Sequence, residues 1–116
     1  MSLLSLYNGV RMEHMILQEL EQFEEGKAIH VPLYGDEHLR VVMLCLSPGS
    51  GIAAHKHPGF EVTLTPIRGK GRLTSPDGKK ITLEPGTVHV VDTDSTLDPH
   101  NPFGEPFVML VHRVKL

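Results

Sequence analysis

Two histidines one residue apart, His55 and His57, followed by a carboxylate at Glu61, are the residues of this sequence whose types and spacing could do chemistry. Side chains alternate faces along a strand, so residues at i and i+2 point into the same space. Two imidazoles and a carboxylate gathered there would form a facial set with open positions, suited to Fe(II), Mn(II), Ni(II), Co(II) or Zn(II). A closed zinc site built on thiolates is excluded by the presence of only one cysteine. Open positions on an ion leave room for a substrate, with the ion acting as a Lewis acid.

Such a set needs strands to aim it, and the chain is punctuated for strands. Nine prolines and eleven glycines in 116 residues suit many short strands better than long helices. Ala28 to Tyr34 alternates and is turned by Gly35-Asp36-Glu37-His38 into the β-rich run Leu39 to Leu46. Gly49-Ser50-Gly51 gives a bend before the histidines, and Glu61 to Ile67 continues as a Thr- and Val-rich strand. In that strand Thr63 and Thr65 share the face of Glu61, and Pro66 fits a β-bulge. Leu73-Thr74 and Ile81-Thr82-Leu83 flank the turn Ser75-Pro76-Asp77-Gly78 as a hairpin. Thr87 to Val91 and Phe107 to Val114 supply later strands, with Pro99 and Pro102 interrupting pairing between them. The expected class is all-β, a barrel or sandwich of short strands with Met43, Phe60 and Phe107 in its core.

The N-terminal part is less determinate. Asn8-Gly9 is a turn signal. Met12, Met15, Ile16, Leu20 and Phe23 would share a helical face, while Met15 to Leu17 reads equally as a short strand. Residues 1–27 are expected to pack on the barrel or on a partner subunit, and Glu21 to Lys27 to form a solvated turn; residues 28–116 form the barrel.

The net charge of minus 3, with acids and bases interspersed, provides no basic stripe for nucleic acid and no polybasic membrane patch. No apolar stretch approaches the roughly 20 residues that span a bilayer. Cys45 lies within an apolar run and is expected to be a buried thiol in a reducing, cytoplasmic setting. The expected partner is a small-molecule ligand or substrate.

Gly49, His55, His57, Glu61, Gly69 and Gly71 together resemble the first motif of the cupin family, G-x5-H-x-H-x3-E-x6-G. Leu83-Glu84-Pro85-Gly86-Thr87-Val88 is similar to the L-x-P-G-D-V element before the second cupin motif, and Glu105-Pro106 precedes the last strand as in many members. The resemblance covers about Leu39 to His112 and implies a small double-stranded β-helix, or jelly-roll, barrel and a homodimer. It implies a divalent metal at His55, His57 and Glu61. Chemistry of the dioxygenase type is implied, with an isomerase or a non-enzymatic sugar-binding sensor as alternatives, because one cupin barrel hosts many functions.

Two departures stand out. The glycines after Glu61 arrive one residue late, and ungapped alignment from Pro85-Gly86 to Glu105-Pro106 puts Leu97 where the family has its last histidine ligand, with Asn101 on the motif's asparagine. His100 is the nearest substitute. Alternation places it on the face opposite Leu97, and a bulge between Pro99 and Pro102 would re-aim it. The remaining histidines, His14, His30, His38, His89 and His112, are expected to be strand-face or subunit-contact residues rather than ligands.

Overall fold

The computed structural model describes Leu3–Tyr7 and Val10–Leu116, with side chains from Met12 onward. The Asn8-Gly9 turn signal lies outside the described residues. Strands β1 (Leu3–Tyr7) and β2 (Val10–His14) pair antiparallel, and a single helical turn, α1 (Leu17–Leu20), follows. The Met12 to Phe23 segment thus divides: strand to His14, then helix, with Phe23 exposed.

The barrel consists of β3 (Ala28–Gly35), β4 (Leu39–Leu46), β5 (Phe60–Arg68), β6 (Gly71–Thr74), β7 (Lys80–Leu83), β8 (His89–Val91) and β9 (Phe107–Lys115). One layer is the antiparallel sheet β3-β4-β9-β5-β8. The opposing layer is the β6-β7 hairpin, extended by irregular segments in which Arg72 bridges His100, His100 bridges Gly51, and Leu97 bridges His55. These are the two layers of a double-stranded β-helix, the fold expected from the sequence.

Alternation decides what each layer buries. Leu44 and Leu46 of β4, Val62 and Leu64 of β5, and Phe107 and Met109 of β9 meet Leu73, Leu83 and Leu97 of the opposing layer in one core. The other face of β4 and β9, with Met43, Cys45 and Val108, packs with Val31 and is covered by Leu17 and Leu20 of α1. That second cover explains why Val42 to Leu46 is an unbroken buried run instead of an alternating one. Cys45 is buried, and burial pushes its thiol pKa up, as befits an inert core cysteine. Met43 and Phe107 are fully buried, whereas Phe60 is half-buried.

The bulge expected at Pro66 is present: pairing with β9 shifts register between Pro66 and Arg68. Glu21, read as part of a solvated turn, instead pairs with the Arg68 guanidinium and ties the turn after α1 to the end of β5. Among the described residues no helix is long and apolar enough to cross a membrane.

Candidate binding cavity

The chain leaves β4 through Ser47-Pro48-Gly49, and the backbone there is tied to the segment around Asn101. Gly49 N–H donates to Asn101 O at 2.8 Å and Asn101 N–H to Ser50 O at 2.8 Å. Asn101 itself is buried, its amide donating to the carbonyls of Leu46 and Glu105 at 3.0 and 2.7 Å while its oxygen accepts from Phe103 N–H at 2.9 Å. Gly51 is required by close approach, since a Cβ there would lie 2.6 Å from the Cβ of His100. His55 and Leu97 then exchange both backbone hydrogen bonds, at 3.0 and 2.7 Å. Residues so paired across antiparallel segments project side by side. His57 is fixed by its carbonyl, which accepts from Phe60 N–H at 3.1 Å and from Thr93 Oγ1 at 3.2 Å.

The two imidazoles meet edge to face, their centroids 4.6 Å apart and planes at 78°. His55 Nδ1 lies 2.9 Å from the carbonyl oxygen of Ala53, and the two Nε2 atoms are 2.9 Å apart. A carbonyl only accepts, so Nδ1 of His55 carries its proton; in the neutral ring Nε2 is then the acceptor, and His57 Nε2–H donates to it.

This pair forms part of the wall of a cavity of about 80 Å3 between the layers. His30 and Arg113 supply the other polar groups, and Leu44, Leu64, Leu97 and Val111 are among its apolar residues. Burial first, and then the charges of Arg113 and His55, holds the His30 pKa below the ordinary imidazole value. His57 is lowered in the same way, by burial, then His55, then Arg113. His30 and His57 are therefore neutral at pH 7, and the Arg113 guanidinium is a permanent cation in the lining.

The structure brings His55 and His57 together and does not bring Glu61 or His100 to them. Glu61 is exposed and pairs across the sheet with Val114, and Thr63 and Thr65 share its outer face, while Val62, Leu64 and Pro66 turn inward. The expected cavity hydroxyls are thus outside the barrel. His100 keeps simple alternation: Leu97 and Pro99 line the cavity, whereas His100 pairs its backbone with Arg72 at 2.8 and 3.0 Å and its Nδ1 with Asp98 O at 2.8 Å. No bulge re-aims it.

The donor set consequently does not fit the metal centre implied by the resemblance. Two nitrogens this close could occupy neighbouring positions on one ion, yet catalytic divalent sites typically take three protein ligands. Among the described residues no group of three or more His, Cys, Asp or Glu converges in this way, and the place beside His55 is taken by the side chain of Leu97.

Sequence reasoning missed His30 and Arg113. The available signal was register: His30 pairs with Leu44 and Arg113 follows Val111 by two, so each shares a face with an inward apolar residue. Of the other histidines, His89 bonds Thr87 at 3.1 Å, His112 lies on the outer face opposite Thr63, and His14 and His38 are exposed. A larger surface groove of about 450 Å3 runs past Lys56, Thr74, Asp94 and Asp98. Its Asp98 carboxylate is already engaged by Thr74 N–H and Oγ1 at 2.8 and 2.6 Å.

Comparison with known proteins agrees with this architecture. The sequence profile of the cupin domain family matches residues 42–113. A solved structure of an uncharacterized conserved protein with a double-stranded β-helix domain, from Klebsiella pneumoniae, superposes with a TM-score of 0.80 at 22% identity, covering 88% of this chain and 89% of that one. A Thermus thermophilus protein gives 0.79 at 21%, with 90% and 98% covered. The Cupin_2 domain of an XRE family transcriptional regulator from Enterobacter cloacae gives 0.69 at 19%, with 77% and 97% covered. No curated protein matches the chain.

Proposed function

Because this chain belongs to the cupin domain family, whose members often bind metals in their barrel, while its own cavity offers two converging imidazoles and a leucine, we propose that it is a non-enzymatic small-molecule-binding module. The observation that carries the reading is Leu97, buried beside His55 where a third donor would stand. Without that donor the cavity keeps its shape and polarity but loses the means to hold a catalytic ion. The regulator domain with the same fold offers a precedent for a cupin that forms part of a transcriptional regulator, at the level of fold analogy alone.

Size limits the ligand. Pockets that enclose drug-sized molecules run to about 300–1,000 Å3, against about 80 Å3 here. A hexose would not be enclosed, which disfavours the sugar-sensing alternative.

The test is a panel of alcohols, amides, carboxylates and polyols of one to six carbons, each titrated into protein labelled at Leu and Val methyls. At least one compound is expected to shift the signals of Leu64, Leu97 and Val111 together. Silence across the panel, or shifts confined to other methyls, would contradict a binding cavity.

A homodimer is proposed alongside. Val90, 66% exposed on edge strand β8, and Val114, 45% exposed on β9, give the outer sheet face apolar area that a second copy would cover. Sedimentation equilibrium should return twice the chain mass of 12.9 kDa, and a monomer at micromolar concentration would contradict it. The buried, unpaired Cys45 supports a cytoplasmic setting.

A further inference from the structure

We infer that the cavity takes a short-chain carboxylic acid, its carboxylate held by Arg113 and its aliphatic part lying among Leu44, Leu64, Leu97 and Val111. The inference rests on the cavity being the binding site, as proposed above, and adds the chemical class of the ligand.

Charge points to an anion. Arg113 of β9 stands directly opposite Arg40 of β4 in the sheet register. Like charges so placed repel, and cross-strand pairs of this kind are ordinarily destabilising. Among the described residues no ion pair includes either guanidinium. The cavity lining contains no carboxylate, so nothing within it compensates Arg113. An anion bound there would remove the repulsion and satisfy the guanidinium.

Geometry chooses among anions. A planar guanidinium presents parallel N–H groups matched to the two oxygens of a carboxylate. His30, whose ring has no hydrogen-bond partner among the described residues, stands at the exposed edge of the cavity and can donate a further hydrogen bond. Behind these polar groups the wall is aliphatic. A fully hydrated inorganic ion would leave that wall against water, whereas a short alkyl chain covers it. At about 80 Å3, against about 300–1,000 Å3 for pockets that enclose drug-sized molecules, the cavity takes only a short aliphatic portion.

The test titrates acetate, propionate, butyrate, propionamide and sulfate separately into methyl-labelled protein, with Arg113→Gln and Glu61→Gln as variants. Propionate or butyrate should bind about 10- to 100-fold more tightly than propionamide, the span expected for hydrogen bonds to a charged group. Arg113→Gln should abolish that preference, while Glu61→Gln, altered on the outer face, should retain it. Equal binding of propionamide, equal binding of sulfate, or undiminished propionate binding by Arg113→Gln would overturn the assignment. If only alcohols or polyols shift the cavity methyls, the binding-module reading stands and the carboxylate assignment falls. The wild-type comparison of acid with amide decides the matter should Arg113→Gln fail to fold.

Discussion

Leu97→His is expected to convert a protein that retains little transition metal into one that binds about one equivalent of Zn(II) or Ni(II), since three imidazoles then face one point. His55 and Leu97 are a reciprocal backbone pair, so their side chains project together, and His57 Nε2 already lies 2.9 Å from His55 Nε2. The added ring should raise affinity more than about 100-fold, because even groups outside the coordination shell are worth about 10- to 100-fold. Leu97 is 3% exposed, and a polar ring in its place should cost about 1–3 kcal/mol in the metal-free protein. Bound metal offsets that loss, so the melting temperature of Leu97→His should rise steeply with added Zn(II) while wild type responds little. Calorimetric titration reads the affinity. If Leu97→His binds Zn(II) no better than wild type, Leu97 is not the position that disables the site.

Gly69→Ala should be among the most damaging single substitutions in the barrel. Gly69 follows β5 at φ +76°, and a Cβ there would fall 2.1 Å from the carbonyl oxygen of Pro106. Gly78 supplies the control: its φ is +85°, yet a Cβ added to it would meet nothing within 4 Å. Gly78→Ala therefore meets only the left-handed backbone penalty, about 1–2 kcal/mol. Gly69→Ala adds a collision with backbone that cannot rotate away, for a total of about 3–5 kcal/mol. Gly69→Asn should fail as well, because asparagine tolerates the dihedral but not the contact. Denaturant unfolding of the three variants measures the difference; equal losses at Gly69 and Gly78 would show that the approach of Pro106 is not restrictive.

Much of the fold was legible because its signals are local. Ser75-Pro76-Asp77-Gly78 between short β-rich runs gave the β6-β7 hairpin, and Gly35 to His38 gave the turn between β3 and β4. The α1 turn was legible only as one of two readings of the Met12 to Phe23 segment: Leu17 and Leu20 are held by tertiary burial against Met43, Cys45 and Val108, not by any helix-start signal, and no side chain caps its N-terminus. In the cavity, His55 and His57 were legible from spacing of one residue. Glu61 was placed by its resemblance to a motif, although the strand's own alternation, apolar at Val62 and Leu64 and polar at Glu61 and Thr63, pointed it outward. The period of the strand prevailed, as it did for His100. His30 and Arg113 could not be seen as a pair at all, because only the register of β3, β4 and β9 brings them to the same opening.

A cupin cavity that binds a small molecule without a resident metal should be metal-free in the protein as isolated. The most direct measurement is elemental analysis of untagged wild-type protein, as purified and after incubation with Fe(II), Mn(II), Ni(II), Co(II) or Zn(II) followed by gel filtration. Less than about a tenth of an equivalent of any of them is predicted, since an assembled site should hold its ion through that step. Close to one equivalent, lost in His55→Ala and His57→Ala, would contradict the account.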